Sequence, residues 1–182
     1  QYSQNLLAAN SDYELLLTTE QLGGLPTSVK NAAKQAAKDA GHSGKYLFTL
    51  SAPSIFPFLT YSTDRELRKE IYTAYTERCN GGEFDNTEVI RTIISLRARR
   101  AQLLGYNSHA EYVLDDVMAK SPKAVYDLLG DLWEPALKSA NEEMANMKII
   151  KRRDTKSDEF AAWDWWYYAE RLRKQRYNLD EQ

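Results

Sequence analysis

The chain has 182 residues, enough for one or two small domains that bury roughly 70% of the surface of the unfolded chain. Its 24 lysines and arginines are balanced by 26 aspartates and glutamates, and a net charge of −2 argues against a general nucleic-acid-binding protein. The single cysteine, Cys79, excludes an intramolecular disulfide, and no apolar run reaches the ~18 residues of a membrane helix. No signal peptide is visible either, so we expect a cytoplasmic protein without membrane partners.

The N-terminal third predicts peripheral helices around two short strands. Helical patterns cover residues 1–9 and the segment that Pro26 opens, which continues to Gly41. Apolar runs at 13–18 and 46–50 are the two strand candidates, and together they predict a small ribbon. Because two strands alone are marginally stable in water, we expect this ribbon to lie against helices.

Residues 63–106 predict two amphipathic helices joined by a turn, and this helical hairpin is the expected centre of a larger bundle. Thr63 and Glu66 have the spacing of a capping box at the start of the first helix, and the glycines at 81–82 end it. The apolar band of the second helix is too wide for one seam and predicts packing on more than one neighbour. This band comprises Val89, Ile90, Ile93, Ile94, Leu96, Ala101, Leu103 and Leu104.

The C-terminal third predicts two more long elements. Pro122 suits the first position of a long helix, which Pro135 should kink because proline lacks the backbone N–H. The polar segment 151–159 is predicted as a loop, and the last helix starts near Asp164, a candidate cap. The fold class is therefore mainly α, a multi-helical bundle with at most a small two-stranded β-ribbon. One possible subdivision of this single segment separates residues 1–60 from 61–182.

Few side chains suggest catalytic or metal chemistry. The two histidines, His42 and His109, are distant in sequence, and neither belongs to H-E-x-x-H, the helical spacing that directs two imidazoles at one zinc. With Cys79 they are the only candidates for a cryptic metal site, and we interpret them instead as a loop and a first-turn helix histidine. Adjacent carboxylates on a helix point about 100° apart and make poor acid–base pairs. This applies to Asp115 with Asp116 and to Glu142 with Glu143.

Two basic clusters and one aromatic run are the remaining candidate sites. The clusters are Arg97, Arg99 and Arg100, and Lys151, Arg152 and Arg153; surface or ion-pair roles suit them better than phosphate contact, given the overall charge. The aromatic run is Trp163, Trp165, Trp166, Tyr167 and Tyr168. Aromatic residues around a whole helix imply either burial on several sides, which we favour, or a stacking platform for a ligand.

Four sequence blocks occur in a fixed order: LRARRAQLLGY (96–106), MAKSP (118–122), WDWWYYAE (163–170) and LDEQ (179–182). Together they resemble the zinc metallopeptidases of the thimet oligopeptidase and oligopeptidase A family, with the strongest likeness to its peptidyl-dipeptidase (Dcp) branch. The resemblance covers nearly the whole chain from Tyr46 onward and, more loosely, the segment before it. Chance similarity between helical proteins would not reproduce four such blocks in sequence.

The resemblance implies a mostly helical zincin-like peptidase with two lobes around a channel that admits oligopeptides, and release of dipeptides from peptide C-termini. The family's zinc is held by H-E-x-x-H and a downstream glutamate, and none of those positions exists in this chain, so no catalytic, cofactor-binding or metal residue is carried over. The chain lacks an initiator Met and opens on a helical pattern. We therefore expect a non-catalytic piece of the helical lobe, forming a wall of the substrate channel and covered by the rest of the same polypeptide.

Two other hypotheses follow from the residues alone. A helical binding module that docks a peptide or partner through its aromatic helix is the first alternative. A nucleic-acid-binding bundle that uses the arginine clusters is a weaker second, which the balanced charge disfavours.

Overall fold

The computed structural model describes residues 1–177, so the LDEQ block at 179–182 lies outside the described residues. Over residues 1–177 the chain forms eight α-helices and a two-stranded sheet, which confirms the mainly α fold class. The elements are α1 (Tyr2–Asp12), β1 (Leu15–Leu17), α2 (Thr27–Asp39), β2 (Tyr46–Phe48), α3 (Ala52–Tyr61), α4 (Arg65–Glu77), α5 (Thr87–Leu103), α6 (His109–Leu114), α7 (Pro122–Thr155) and α8 (Trp165–Tyr177). In this part of the chain no helix combines the length and the apolar character required to cross a lipid bilayer.

The two predicted strands pair as an antiparallel ribbon. Leu15 lies opposite Phe48 and Leu17 lies opposite Tyr46, so the apolar runs at 13–18 and 46–50 are confirmed as strands. Leu15, Leu17 and Phe48 are all buried. The ribbon packs against α2 and the start of α3, which supplies the helical support that a two-stranded sheet needs.

Contacts divide the chain into two compact units. The ribbon unit contains Ser3–Asp85 together with the chain from Met144 onward, and the α5–α6 unit contains Gln1–Tyr2 and Asn86–Glu143. The two helices of the predicted hairpin, α4 and α5, therefore belong to different units. Helix α3 packs against α2, α4 and α8 and so joins the sequence on both sides of residue 60, and the subdivision into residues 1–60 and 61–182 stays a prediction.

The main core lies in the ribbon unit. It is built from leucines of the ribbon and its flanking turns and from the apolar face of α3, and it extends to Ile71 of α4. Phe48 and Phe58 meet at its centre, with ring centroids 4.6 Å apart. Gly24 allows the chain to pass close to the end of α3: it has φ +79°, and a Cβ there would lie 2.3 Å from the carbonyl oxygen of Tyr61. Only glycine suits both the conformation and the space.

Two predicted boundaries are wrong. Helix α4 is capped by Asp64 and not by Thr63, since the Asp64 carboxylate accepts hydrogen bonds of 3.0 and 3.1 Å from the backbone N–H groups of Glu66 and Leu67. Helix α7 runs for 34 residues, through Pro135 and on to Thr155, so the first part of the predicted loop 151–159 is helical. Lys151, at the start of that segment, is buried and not solvated.

Large apolar side chains remain exposed on α5 and on the first half of α7. Of the predicted α5 band only Ala101 is buried, while Leu103 is 77% exposed. On α7, Leu132 is 56% and Trp133 is 67% exposed. Exposed apolar groups of this size and number are unusual on a monomer.

Candidate functional site

The aromatic run lies at the start of α8 and is mostly turned into the ribbon unit. Tyr168 is buried, and Trp165, Trp166 and Tyr167 are half-buried. The Trp166 ring lies 6.0 Å from that of Phe56 and 5.9 Å from that of Tyr72, so it extends the main core. Burial, the favoured interpretation of this run, is therefore largely correct. The most exposed apolar surface lies on α5 and α7 instead.

A buried carboxylate, Asp164, stands within the aromatic run and binds three cations. Its Oδ1 accepts from Arg65 Nε at 3.1 Å and from Arg68 Nη2 at 3.2 Å, and its Oδ2 accepts from Lys151 Nζ at 2.8 Å. Oδ2 also accepts from the backbone N–H of Ala161 at 3.1 Å. Asp164 is 0% exposed. We call these four side chains (Arg65, Arg68, Lys151 and Asp164) the charged centre.

Backbone carbonyl groups accept further hydrogen bonds from the two buried cations. Arg68 donates from Nη1 to the carbonyl oxygen of Ser62 at 2.8 Å and from Nε to that of Trp163 at 3.3 Å. Lys151 also donates to the carbonyl oxygen of Glu159. The Arg68 guanidinium lies 4.3 Å from the centre of the Tyr167 ring, a cation–π contact. Buried charges with this many partners avoid the cost of an unsatisfied ion.

Burial and hydrogen bonding shift the pKa values of the charged centre in opposite directions. Burial alone would raise the pKa of Asp164, but hydrogen bonds from Arg65 and Lys151 outweigh it and lower that pKa to about 2. Burial lowers the pKa of Arg68, and its hydrogen bond to Asp164 opposes that shift. With so low a pKa, Asp164 is a poor proton carrier near neutral pH.

The charged centre is suited to positioning. Arg65 and Arg68 come from α4, Lys151 comes from α7, and Asp164 ends the short turn that precedes α8. One carboxylate thus holds three helices of the ribbon unit together. Arg65 also binds Glu159 at 3.2 Å, which extends the network to the surface. We conclude that the centre fixes the aromatic end of α8 against α4.

The residues considered for a metal site are not brought together. His42 Nε2 lies 3.1 Å from Glu14 Oε2 in the ribbon unit, whereas His109 belongs to the α5–α6 unit and has its ring 6.3 Å from that of Tyr112. Cys79 belongs to the ribbon unit, at a positive φ of 59°. Among residues 1–177 no group of three or more histidine, cysteine, aspartate or glutamate side chains is arranged to hold a metal ion.

The carboxylate pairs and basic clusters are mainly at the surface. Asp115 accepts a 2.8 Å hydrogen bond from the Tyr106 hydroxyl, and Asp116, Glu142 and Glu143 are exposed. Arg97, Arg99 and Arg100 are exposed on α5, with the Arg100 guanidinium 4.8 Å from the centre of the Tyr112 ring. In the second cluster Arg152 pairs with Asp158, as expected of a surface ion pair. Lys151 differs, because it belongs to the charged centre.

Sequence reasoning missed the charged centre. Arg65 and Arg68 carry no motif, and Asp164 was assigned only as a cap. One available signal was a carboxylate between Trp163 and Trp165, since an acidic residue inside an aromatic run must find a cation if the run is buried.

Comparison with known proteins identifies the family of which these helices are part. Residues 58–182 match peptidase family M3. The chain is 37% identical to oligopeptidase A of Haemophilus influenzae over 188 residues, covering 100% of this chain and 28% of the relative. It is 35% identical to an organellar oligopeptidase A of Arabidopsis thaliana, covering 100% of this chain and 24% of the relative. It is 30% identical to a dipeptidyl carboxypeptidase of Escherichia coli, covering 100% of this chain and 27% of the relative. The chain thus spans about a quarter of the length of these relatives, and its identity to the dipeptidyl carboxypeptidase is lower than its identity to the oligopeptidases A.

Proposed function

The chain belongs to peptidase family M3, a family of metallopeptidases, and we propose that it is a part of a zinc peptidase that releases dipeptides from the C-termini of oligopeptides. The family match over residues 58–182 is the observation that carries this proposal. The dipeptide-releasing specificity is supported by the dipeptidyl carboxypeptidase relative, at the lower identity of 30%, and the name of the oligopeptidase A relatives supports oligopeptides as substrates.

Zinc does not fit the residues described in this chain. His42 and His109 belong to different compact units, and a zinc site needs at least three well-placed protein ligands. In the proposed enzyme the metal is held elsewhere in a polypeptide of the relatives' length, and this chain contributes no reaction step. Its residues instead provide a rigid helical wall for the substrate channel.

The charged centre supports the role of a rigid wall. Three cations from two helices bind Asp164, and half-buried aromatic rings of α8 lie next to that carboxylate. A wall of this kind keeps its shape because each buried charge is held by several partners. The rings of Trp165 and Tyr167 are the half-exposed side chains of α8 that we assign to the wall surface.

The rest of the same polypeptide is the proposed partner of the exposed apolar side chains on α5 and α7. The Haemophilus influenzae relative has well over twice the length of this chain outside the matching region, because the match covers 28% of it. Helices from such a region would bury Leu103, Leu132 and Trp133.

We also propose a cytoplasmic location, because a probable cytosolic oligopeptidase A of Arabidopsis thaliana is among the relatives of this chain.

The binding-module alternative has less support from the structure. It requires the aromatic helix to be free for a partner, and Tyr168 is buried while Trp166 packs on Phe56 and Tyr72.

Zinc uptake and peptide cleavage by the isolated chain test the assignment of a non-catalytic role. After equilibrium dialysis against zinc, we expect less than one tightly bound ion per chain and no release of dipeptides from an oligopeptide. Tight one-to-one binding, or cleavage that survives repurification, would show that the chain carries its own active site.

A further inference from the structure

An open cavity of about 190 Å³ lies in the ribbon unit between α2, the end of β2 and the first turn of α3, and its lining residues Ala32, Ser51 and Pro53 are exposed to solvent. Its α2 wall consists of one helical face of small side chains: Val29, Ala32, Ala33 and Ala36. The space exists because these alanines end at Cβ where larger residues would reach the ribbon. Leu47 and Phe48 form the wall on the side of the ribbon.

Three hydroxyl groups form the polar edge of the cavity. Ser54 Oγ accepts a 2.9 Å hydrogen bond from the backbone N–H of Thr49, and its own O–H has no acceptor within residues 1–177. Thr49 Oγ1 and Ser51 Oγ lie 2.9 Å apart and share one hydrogen, so this pair can donate one more. The cavity therefore offers an apolar interior beside two available hydroxyl donors, and none of its lining residues is charged.

We propose that this cavity binds an aromatic side chain of a peptide, whose backbone carbonyl accepts a hydrogen bond from Ser54 or from the Thr49–Ser51 pair. Benzene fits a closed apolar cavity of about 150 Å³, so an open cavity of about 190 Å³ has room for a phenyl ring, part of which stays in contact with water. An ionic group would lose its hydration without gaining a counter-charge, which makes a neutral ligand the better match. The inference rests on the proposed function only in taking the ligand to be a peptide.

Titration of the isotopically labelled 182-residue chain with N-acetyl-phenylalaninamide, followed by NMR, tests the proposal. We expect saturable shifts of the amide signals of Ala33, Ala36 and Thr49 at millimolar ligand, as befits a ligand this small. N-acetyl-alaninamide, which lacks the ring, should give no saturable shift at those residues. Equal responses to both ligands, or none to either, would overturn the proposal.

Two variants and one control localise the binding. Ala36→Leu fills the cavity and should abolish saturable binding. Ala40→Leu adds the same atoms at the exposed residue that follows α2, outside the cavity, and should leave binding unchanged. Ser54→Ala should weaken binding about fivefold by removing one hydrogen bond. Undiminished binding by Ala36→Leu would contradict the location, whatever the stability of that variant. None of these readouts depends on zinc or on peptide cleavage, so failure here leaves the proposed peptidase function untouched.

Discussion

Lys151 Nζ lies 2.8 Å from Asp164 Oδ2, and the two side chains are only 2% and 0% exposed. This ion pair joins the C-terminal part of α7 to the turn before α8. Around it, Arg65 and Arg68 of α4 complete a centre in which one carboxylate serves three cations. This centre holds the aromatic end of α8 in position.

Removal of the central carboxylate should be strongly destabilising. Asp164→Asn leaves Arg68 and Lys151 buried without their counter-charge, which costs about 3–5 kcal/mol of unfolding free energy. Urea denaturation followed by circular dichroism measures that loss. Asp158→Asn is the matched control, since it breaks an exposed pair with Arg152 and should change stability by less than about 1 kcal/mol. Similar effects of the two changes would show that the buried centre does not stabilise the fold.

The free energy of unfolding should decrease as the pH falls from 3.8 toward 2, because Asp164 becomes protonated in this range. The pKa of this carboxyl is about 2 in the folded chain against an ordinary value of 3.8, so the unfolded state binds the proton more readily. Its contribution is fully present above pH 3.8 and is lost as pH falls from there toward 2. Urea midpoints recorded through this window should therefore decline. The Asp164→Asn variant should decline less steeply, and an identical slope would contradict the low pKa.

Gly24 should tolerate substitution much less than Gly41. Both have a positive φ, +79° and +85°, so alanine at either position costs about 1–2 kcal/mol of backbone strain. At Gly24 the added Cβ also meets the carbonyl oxygen of Tyr61 at 2.3 Å, while at Gly41 nothing lies within 4 Å. Thermal unfolding of Gly24→Ala and Gly41→Ala compares them directly. Equal losses would mean that the turn relaxes away from α3 at little cost.

The exposed face of α7 should make the isolated chain self-associate or bind a hydrophobic dye. Leu132 and Trp133 are 56% and 67% exposed, so their apolar surface stays in contact with water. The double change Leu132→Ser with Trp133→Ser should reduce dye fluorescence or association several-fold without loss of helicity. Asp131→Ser, on the same exposed stretch, is the control. A monomer that binds no dye would contradict a role for this face in packing.

Local patterns predicted most elements of the fold but not the charged centre. The apolar runs around Leu16 and Leu47 identified both strands, because alternation and length are local properties of a strand. The centre joins Arg65 to Asp164 across 99 residues, a separation that no periodicity encodes. Lys151 was predicted to lie in a polar loop for the same reason, since its burial depends on Asp164, a partner in the turn before α8.

Competing local signals explain the smaller errors. Thr63 and Asp64 are both good cap residues, and the carboxylate of Asp64 reaches the free N–H groups of α4 in the folded chain. The wide apolar band of α5 was correctly identified as unusual, yet its prediction of several neighbours is not met in the α5–α6 unit, where Leu103 is exposed. An amphipathic pattern indicates which face of a helix is apolar enough to pack against another element. It does not indicate whether that element lies in the same segment of the chain.

The most direct test of the proposed function is the set of peptide products made by a chimera. This chain would replace the segment of Haemophilus influenzae oligopeptidase A that aligns with it over 188 residues, with the unaltered enzyme assayed in parallel. Mass spectrometry of an oligopeptide digest should show zinc-dependent cleavage by the chimera, because the host enzyme supplies the metal site and this chain supplies the wall. Absence of cleavage in a chimera of normal helicity would contradict the assignment of this chain to the channel wall.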